Sequence, residues 1–390
     1  MLTHYRGSGL VLPEILYIQF SNPTAYPPLE HSALMMQSQG WRVRFLGVRW
    51  PWGNFSFTNA LRAHLRLMAA PSPGWRQKLF FLRYIACVLV SASLRPPNWV
   101  YVSDPMAAPA GLLLCLLGFR VAYHEHDSPD GVPRTRFDAL IRYCRRQLAR
   151  RAAFNVLPQD ERCRIFKETT STLRPVLRVW NCPRRDELCS HSRPPRQPYE
   201  PLGIYYHGSI NLTLLPLELI EAAGQSSVPI VIRAVGYETV GSAGTSDLLR
   251  QAADPYKETL RLELPGSTSR YDLPRHMRGM HLGWIAYNEE NTDINLKHLA
   301  GASNKAFDYL ANALPLIINQ SPEWQSIFMP HDLAIGCDAA SIREIAKCIL
   351  WAYNDPFEIS RMSENARQAT ISIFNFDSQF LSAKEALISK

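Results

Sequence analysis

The sequence predicts an α/β protein with two parallel-sheet domains. Its 390 residues exceed the usual size of one domain, and two domains of roughly 150 to 200 residues are the natural expectation. Short apolar segments alternate with segments of helical periodicity in both halves, which is typical of βαβ units. The halves meet at a polar stretch whose composition is typical of a linker, with Pro183, Pro194, Pro195, Pro198 and Pro201. We therefore expect an N-terminal domain over 1–181, a linker over 182–201, a C-terminal domain over 202–370 and a terminal segment over 371–390, with a cleft between the domains.

The first half opens with a βαβ unit. A strand over Glu14–Gln19, a helix over Leu29–Gln39 and a strand over Trp41–Leu46 follow one another. Pro51–Pro73 is less regular and is predicted as a loop with one short helix. The alternation continues with helices over Phe80–Leu94, Ala107–Leu117, Arg136–Ala153 and Gln159–Lys167 and strands over Trp99–Val102, Arg120–Tyr123, Asn155–Pro158 and Val176–Val179.

Two strongly apolar segments of the first half, Phe80–Leu94 and Met106–Phe119, are predicted to be buried helices. Arg83 interrupts the first, and the second is too short to cross a bilayer. We therefore expect no transmembrane helix. Met1–Leu10 contains no apolar core, so no signal peptide is expected.

Composition favours a soluble protein of a reducing compartment. Hydrophobic residues make up 46% of the chain and charged residues 19%, which is typical of a globular protein. The eight cysteines form no CxxC pair, so neither a zinc site nor a disulfide framework is indicated. A cytoplasmic location fits this cysteine usage best.

Much of the positive charge lies in a basic stretch over 134–151. This stretch contributes seven arginines to a net charge of +8: Arg134, Arg136, Arg142, Arg145, Arg146, Arg150 and Arg151. Such a stretch can bind an anionic membrane surface or phosphate-bearing substrates, and an ordinary solvated basic face is the alternative. Few aromatic residues are interleaved for base stacking, so nucleic acid is not expected as a partner.

The second half repeats the alternation of strands and helices. Strands are predicted over Leu202–Tyr206, Pro229–Ala234, Leu260–Leu264, Met280–Ala286, Leu316–Ile318 and Asp332–Ile335. Helices are predicted over Pro216–Ala223, Ser246–Ala253, Tyr271–Met277, Ser341–Tyr353 and Ile359–Ser372, with one more in the stretch described next.

Ala302–Asn319 is the candidate binding stretch of the second half. The polar turn Ser303-Asn304-Lys305 opens a short helix that carries Asp308, and a buried strand follows Pro315. Free N–H groups and the positive end of the helix dipole can hold an anion. A carboxylate one turn further can accept hydrogen bonds from hydroxyl groups. An ordinary capped helix of an α/β protein is the alternative.

A polar loop follows the strand at Arg120–Tyr123, in the sequence His124-Glu125-His126-Asp127. Ligands of open α/β sheets bind at the carboxyl ends of the strands, which makes this loop a second candidate site. A metal site is not expected, because a third nearby ligand is lacking. A polar loop without chemistry is the alternative.

Together these stretches resemble the GT-B glycosyltransferases, in particular the retaining family 4 or group 1 enzymes. The resemblance covers nearly the whole chain and rests most on Ser303–Ile318, where that family has an acidic helix, a proline and an apolar strand. It implies a GT-B fold of two Rossmann-like domains with a cleft between them, with C-terminal helices that cross back to the first domain. It also implies transfer of a sugar from a nucleotide-diphosphate sugar to a glycan or lipid-linked acceptor, with retention and without a metal or other cofactor. Bacterial polysaccharide or glycoconjugate synthesis, in the cytoplasm or on the inner face of the membrane, would be the setting.

The resemblance also implies roles for individual residues of the donor site. Asp308 matches the acidic residue that binds the donor ribose, and Ser303, Asn304 and Lys305 match the loop that cradles the phosphates. His207-Gly208-Ser209 resembles the phosphate loop after the first strand of the second domain. Arg233 is expected at the end of the next strand, facing the phosphates, and Gly266 and Ser267 match the loop that reads the nucleobase.

On the acceptor side, the resemblance gives the catalytic positions to His124, His126 and Asp127. A histidine there would contact the acceptor or the sugar, and Asp127 would orient the imidazole or bind a hydroxyl. No strong base is required in a retaining enzyme, because the leaving phosphate can take the acceptor proton.

The sequence departs from the family pattern at three places, one of which is the loop at Phe20–Pro28, where the glycine pair that many relatives have near the phosphate is missing. Ala300 stands where the first member of the paired acidic motif is expected, and the loop after Gly208 lacks the usual arginine and lysine. An inactive partner subunit or pseudoenzyme is therefore one alternative, and a sugar-nucleotide 2-epimerase of the same architecture is another. A nicotinamide oxidoreductase is disfavoured because the loop at Phe20–Pro28 has no GxGxxG fingerprint.

Overall fold

The structure is a computed structural model that describes residues 12–50, 56–57, 61, 65–72, 74–289 and 293–389. The chain divides into two compact units. The first contains the described residues of Met1–Val179 and Phe380–Lys390, and the second is Trp180–Gln379. The expectation about a signal peptide in Met1–Leu10 lies outside the described residues.

The first unit is built on a seven-stranded sheet in which all neighbouring strands pair in parallel. Its strands are β1 (Glu14–Gln19), β2 (Arg42–Arg49), β3 (Leu65–Ala69), β4 (Trp99–Ser103), β5 (Val121–His124), β6 (Phe154–Leu157) and β7 (Val176–Arg178). Their order across the sheet is β3-β2-β1-β4-β5-β6-β7, so the direction of winding reverses between β1 and β4. In doubly wound sheets this reversal is where ligands bind.

The helices of the first unit cover both faces of this sheet, as the continuous burial of its central strands requires. They are α1 (Pro27–Ser38), α2 (Trp75–Leu94), α3 (Ala108–Leu116), α4 (Arg136–Ala149) and α5 (Asp160–Thr170). A last helix, α15 (Leu381–Ile388), returns to this unit, where the Trp99 indole N–H donates to the Leu387 carbonyl at 2.8 Å.

The prediction for Pro51–Pro73 was wrong at its second half, where the structure has a strand instead of a loop. β3 pairs in parallel with β2 from Leu65 opposite Phe45 to Ala69 opposite Arg49. Most of the earlier half, including 51–55, 58–60 and 62–64, lies outside the described residues.

The prediction that Phe80–Leu94 is a buried helix was wrong for its outer side. Phe80, Tyr84, Val88 and Ala92 belong to the core of the unit. The opposite side of α2 is exposed, and only 28% of its most apolar 18-residue window is buried. Among the described helices, α2 is long and apolar enough to cross a membrane, judged by its length and composition alone.

The second unit contains a six-stranded parallel sheet in the order β10-β9-β8-β11-β12-β13. Its strands are β8 (Leu202–Ser209), β9 (Ile230–Tyr237), β10 (Leu260–Gly266), β11 (Leu282–Trp284), β12 (Leu316–Asn319) and β13 (Ala334–Cys337). The winding reverses between β8 and β11, so the carboxyl end of β8 lies at the reversal point of this sheet.

The helices of the second unit agree with the predicted alternation and add three short helices that were not predicted, at Ile294–Lys297, Pro322–Phe328 and Phe376–Gln379. They are α6 (Leu217–Gln225), α7 (Thr245–Ala253), α8 (Leu273–His276), α9 (Ile294–Lys297), α10 (Asn304–Ala311), α11 (Pro322–Phe328), α12 (Ile342–Asn354), α13 (Pro356–Ser372) and α14 (Phe376–Gln379). Each sheet is therefore a separate α/β layer structure with its own apolar core.

Residues 182–201, predicted as the linker, lie within the second unit and pack on it. The Arg193 guanidinium donates to the carbonyls of Met277 and Met280, both at 3.0 Å, and to that of Asn312. Backbone carbonyls therefore hold this segment in place, and it is not a free tether over this stretch.

Candidate functional site

The candidate site of the second unit lies where β8 ends and α10 begins. β8 finishes in His207, Gly208 and Ser209, the three residues predicted as a phosphate loop. Gly208 has a φ of 130°, which a residue with a side chain rarely adopts. The neighbouring strand also has a glycine here, because a Cβ on Gly236 would lie 1.8 Å from the Gly208 carbonyl oxygen. The two glycines thus allow the backbones to approach closely at the reversal point.

Lys305 lies directly over this turn. A Cβ built on Gly208 would be 3.3 Å from Lys305 Cε and 3.4 Å from its Nζ. The absence of a side chain on Gly208 therefore gives the lysine its position. Sequence analysis grouped these residues in one site, and the structure brings them together.

The amino end of α10 supplies further donors at the same place. Ser303 caps the helix, with its hydroxyl accepting from the Ala306 N–H at 3.3 Å. The N–H groups of Asn304 and Lys305 have no hydrogen-bond partner among the described residues. Orphan N–H groups at the positive end of a helix attract anions.

The Lys305 amine forms no hydrogen bond and no ion pair with any other described residue, although Asp308 lies near enough to interact with its charge. Burial lowers its pKa from the ordinary value of 10.5 to about 8, and the negative charge of Asp308 opposes this shift. At neutral pH the group is therefore mainly a cation, and its burial makes it favourable for an anion to complete its surroundings.

Asp308 lies one turn further along α10, and its carboxylate is held by Arg270. The guanidinium donates to both carboxylate oxygens, at 2.7 and 2.9 Å, and also pairs with Glu187 at 3.1 Å. His207 Nε2 lies 3.5 Å from Asp308 Oδ2. Burial would raise the pKa of Asp308, but the charge of Arg270 and the hydrogen bonds outweigh it, so the pKa is lowered. Asp308 is thus an ionised carboxylate inside an ion-pair network.

The structure corrects the predicted position of Arg233. It was expected at the end of a strand, but β9 continues to Tyr237 and Arg233 is in the middle of it. Its guanidinium pairs with Glu263 at 2.5 Å and donates to the carbonyls of His276 and Arg278. These partners hold it within the strand layer of the unit.

Gly266 and Ser267 lie at the carboxyl end of β10 and are exposed to solvent. Gly266 has a φ of 86°, so the chain turns there in a conformation that favours glycine. The same turn leads to Arg270, three residues after Ser267, which reaches Asp308. The predicted nucleobase loop is therefore tied to the predicted ribose residue through an arginine that sequence analysis did not single out.

The first unit has a polar cluster at the corresponding place, where β1, β4 and β5 end. His124 ends β5 and its Nδ1 lies 2.9 Å from the Tyr101 hydroxyl. His126 is 6% exposed, and neither of its ring nitrogens has a hydrogen-bond partner among the residues that the structure describes. The two imidazole rings are 3.9 Å apart. Burial lowers the pKa of both, that of His126 to about 3 with a contribution from the charge of Arg162, so both are neutral at physiological pH.

Asp104 joins these histidines and was not predicted. Its Oδ1 accepts from the backbone N–H groups of His126 at 2.9 Å and Asp127 at 3.4 Å, and its Oδ2 accepts from the Gln19 amide at 3.2 Å. Burial, and then the negative charge of Asp127, raise the pKa of Asp104 to about 8. The carboxylate of Asp127 itself is exposed. The cluster thus contains two neutral imidazoles and a mainly protonated acid.

A buried ion pair between Glu125 and Arg145 holds the loop that follows β5. Glu125 accepts from Arg145 of α4 at 2.5 and 2.7 Å, from the Tyr123 hydroxyl at 2.7 Å and from the Ser128 hydroxyl at 2.7 Å. The Arg162 guanidinium donates to the His126 carbonyl. Glu125 turns inward, and its neighbours His124 and His126 lie together at the sheet edge, where they are 1% and 6% exposed.

The contacts of three arginines could not be predicted from the sequence, for one shared reason. Arg145, Arg162 and Arg270 each act on a residue at least 20 positions away in the chain. Asp104 did carry a usable signal, since it follows a strand in Ser103-Asp104-Pro105. Within the described residues, no group of three or more His, Cys, Asp or Glu side chains is placed to hold a metal ion.

Comparison with known proteins gives matches in structure and none in sequence. The chain matches no family model, and no curated protein matches it significantly. HepE from Anabaena, solved in complex with UDP and glucose, is 16% identical with a TM-score of 0.70, over 96% of this chain and 99% of that chain. A glycosyltransferase from Rickettsia africae is 10% identical with a TM-score of 0.72, over 97% and 100% of the two chains. WaaG, a glycosyltransferase involved in lipopolysaccharide biosynthesis, is 13% identical with a TM-score of 0.66, over 96% and 100%.

These likenesses establish the fold. The chain has the GT-B fold, with two Rossmann-like α/β units, as the resemblance in the sequence implied. Because a fold hosts many functions, the activity has to be argued from the sites themselves.

Proposed function

We propose that the protein is a glycosyltransferase that moves a sugar from a nucleotide-diphosphate sugar to a glycan or lipid-linked acceptor. The observation that carries the proposal is the position of Lys305. This half-buried cation without an ion-pair partner among the described residues lies over the Gly208 turn, beside the free N–H groups that begin α10. Support also comes from HepE, which has this fold and was solved with UDP, with UDP-glucose, and with UDP and glucose.

On the donor side, the diphosphate would lie against Lys305, the N–H groups of Asn304 and Lys305, and the His207-Gly208-Ser209 turn. Electrostatic stabilisation matters most where charge develops, and here the leaving diphosphate gains charge as the sugar–oxygen bond breaks. Asp308 would accept hydrogen bonds from the ribose hydroxyls while it shares its oxygens with Arg270. Gly266 and Ser267 would line the nucleobase.

On the acceptor side, the sugar or acceptor hydroxyls would meet His124 and His126, and Asp127 at the solvent edge. A neutral imidazole can both donate and accept, which suits a hydroxyl group. In the transfer, the bond from the anomeric carbon to the diphosphate oxygen breaks with its electrons, and the acceptor oxygen forms the new bond. The acceptor proton passes to the leaving phosphate, so a retaining transfer needs no separate strong base. We propose that this occurs without a metal ion.

We also propose a cytoplasmic enzyme that associates peripherally with the inner face of a membrane, in bacterial polysaccharide or glycoconjugate synthesis. The basic stretch 134–151 contributes less free charge than its sequence indicates. Arg145 forms an ion pair with Glu125. Arg142 forms an ion pair with Asp138 and donates hydrogen bonds to two backbone carbonyls. Arg134, Arg136 and Arg146 remain exposed for an anionic surface.

A thermal-shift panel of UDP-, GDP-, ADP- and CMP-sugars tests the donor site. We expect one nucleotide class to raise the unfolding midpoint of the wild type, and Lys305→Met to abolish most of that rise. Lys257→Met is the matched control, because Lys257 is an exposed lysine of the same unit. Stabilisation that Lys305→Met leaves intact would place the donor elsewhere, and no stabilisation by any donor would refute the proposal.

An inactive GT-B partner subunit is the second candidate function. Two observations favour it: buried Ala300 replaces the first acidic residue, and Asp308 is already engaged by Arg270. The candidates differ in turnover. Nucleotide release measures both slow hydrolysis of the donor and transfer to simple glycosides. A chain that binds a nucleotide-sugar but shows neither reaction would be a binding subunit. Loss of the donor sugar's C2 configuration without transfer would instead indicate a 2-epimerase.

A further inference from the structure

The outer side of α2 carries a stripe of large apolar side chains that no described part of the unit covers. Trp75 is 68% exposed, Leu79 57%, Leu82 61%, Val90 55% and Leu94 82%. At 100° per residue, the first four of these lie within an arc of about 80°. A single exposed leucine is ordinary, but a stripe along a 20-residue helix is not.

The inner side of the same helix fixes how the stripe is presented. Phe80, Tyr84, Val88 and Ala92 are buried in the core of the first unit. α2 is therefore held against the unit along its length, and the outward side chains cannot be hidden without removing core residues. This also means that α2 lies on the unit and does not leave it to cross a bilayer.

The two helices next to α2 carry exposed apolar side chains of their own. α2 packs on α3 and α3 packs on α4, and on the inner side of α2 the ring of Phe81 contacts that of Phe137 at 5.2 Å. The following side chains of α3 and α4 and of the residue after α3 are between 40% and 63% exposed: Leu113, Leu116, Leu117, Phe137, Leu140 and Tyr143. We call these residues and the α2 stripe the α2–α4 apolar surface.

The charge on α2 around its apolar stripe has one sign. On α2, Arg76 and Arg83 lie on one side of the stripe and Lys78 on the other, all exposed and none in an ion pair with another described residue. No Asp or Glu occurs anywhere from His31 to Ser103, whereas nine Lys and Arg residues do. An apolar stripe flanked by cations and lacking anions is complementary to a layer of acidic lipid headgroups over acyl chains.

We propose that the α2–α4 apolar surface is a membrane-docking surface, with α2 lying in the plane of an anionic bilayer. Trp75, Leu79 and Leu82 enter the headgroup–acyl boundary, and Arg76, Lys78 and Arg83 bind lipid phosphates. The charged stretch over 134–151 then acts beside the inserted helix and not as the anchor itself. The docking surface rests on the membrane association proposed above but not on sugar transfer, so a failure of vesicle binding and a failure of donor binding are distinguishable.

Vesicle flotation with the full chain tests the proposal. The probes are vesicles of phosphatidylglycerol and phosphatidylcholine, compared with vesicles of phosphatidylcholine alone, at low and high salt. We expect wild-type protein to float with the acidic vesicles. Leu79→Gln with Leu82→Gln should weaken partitioning by about tenfold per leucine. Replacing Arg76, Lys78 and Arg83 by Gln should weaken it by about fivefold per cation, and only at low salt.

Two further measurements make the test specific. Leu173→Gln is the matched control, because Leu173 is fully exposed on the same unit but lies outside the α2–α4 apolar surface; it should bind like wild type. Lipids brominated on their acyl chains should quench wild-type tryptophan fluorescence more than that of Trp75→Phe. Glutamine replaces leucine in a helix at little cost, so unchanged thermal unfolding will show that the variants are folded.

Three results would overturn the proposal. The first is absence of wild-type binding to acidic vesicles at low salt. The second is binding that the Leu79→Gln, Leu82→Gln variant retains. The third is equal quenching with and without Trp75. Light scattering tests the alternative occupant. If wild-type protein does not bind vesicles but forms dimers, and the leucine variant does not form them, the surface would be assigned to a second copy of the chain.

Discussion

Replacement of Lys305 by methionine should weaken donor binding while it stabilises the folded protein. Methionine keeps the length and apolar contacts of the side chain but removes the charge. A hydrogen bond to a charged group contributes about 1.5–3 kcal/mol, so we expect the dissociation constant of the bound nucleoside diphosphate to rise about 10- to 150-fold at pH 7. Lys257→Met should change neither quantity.

The pH dependence follows from the lowered pKa of Lys305. With a pKa of about 8 in the free protein, Lys305 is mostly charged at pH 7 and mostly neutral at pH 9. An anion that binds only the charged form should therefore bind about tenfold more weakly at pH 9 than at pH 7. Binding at pH 9 should also take up protons, because the anion raises the pKa of the lysine again.

The pH affects folding stability in the opposite direction to anion binding, because the stability of the folded protein increases as Lys305 loses its proton. Folding lowers the pKa of Lys305 from 10.5 to about 8, so the buried charge costs stability at all pH values below about 8. Between about 8 and 10.5 the unfolded chain holds more protons, and this cost disappears as the pH rises. Lys305→Met removes the cost, so its unfolding midpoint should exceed that of wild type at pH 7 and approach it near pH 11.

Calorimetric titration in two buffers of different ionisation enthalpy measures both affinity and proton uptake. Wild type should show buffer-dependent heats at pH 9, and Lys305→Met should not. A variant that binds as tightly as wild type at pH 7 would refute the assignment of Lys305 to the phosphates. Equal proton uptake by both proteins would show that another group titrates on binding.

The remaining predictions concern the buried charges of both units. Arg270→Met should lower the free energy of unfolding by about 2 kcal/mol at pH 7, because it leaves the Asp308 carboxylate without its bidentate partner. The loss should be smaller at acidic pH, where protonation of Asp308 removes the unpaired charge. Urea unfolding at pH 7 and 4.5 measures both values. Arg145→Met should cost about 3–5 kcal/mol by stranding the Glu125 charge, and adding Glu125→Gln should recover a large part of it, which a double-mutant cycle in urea will detect. Because the pKa of Asp104 is raised in the folded protein, this residue ionises at lower pH in the unfolded chain. Its contribution to stability is therefore present below about pH 4 and is lost as the pH rises to about 8. Asp104→Asn should remove this pH dependence of the free energy of unfolding, and an unchanged pH dependence would assign it to another group.

The sheets were predictable from sequence because their central strands are buried on both faces. Such strands appear as short continuous apolar runs, as in Glu14–Gln19 and Trp99–Ser103. β3 was missed because it lies at the edge of its sheet and none of its residues is fully buried, so Leu65–Ala69 carries no such run. The order of the strands depends on tertiary contacts and came from the structure.

The side of a helix that faces solvent was not predictable where both sides are apolar. α2 has the composition of a buried helix, yet only one of its sides meets the core. Periodicity finds a helix by the contrast between its faces, and α2 offers little contrast. The same ambiguity hid the surface that we assign to membrane docking.

The candidate site was predictable in its local parts and not in its long-range contacts. Gly208, Lys305 and the Ser303 cap could be grouped from the resemblance, and the structure brings them together. Arg270 could not, because its 38-residue separation from Asp308 leaves no periodic signal. The position of Arg233 was wrong because strand β9 is three residues longer than its apolar run indicated.

The two units differ in the electrostatics of their sheet edges, and this difference favours different ligands. The edge of the first unit presents neutral groups, since burial keeps His124 and His126 unprotonated and Asp104 mainly protonated. Neutral groups that can donate and accept suit sugar hydroxyls, and a buried net charge would be costly there without a partner. The edge of the second unit holds the Lys305 cation and the N–H groups of a helix start, which require an anion. The edge of the first unit therefore suits a neutral polyhydroxyl group and that of the second unit an anionic group such as a diphosphate, and a purely apolar ligand would satisfy neither edge.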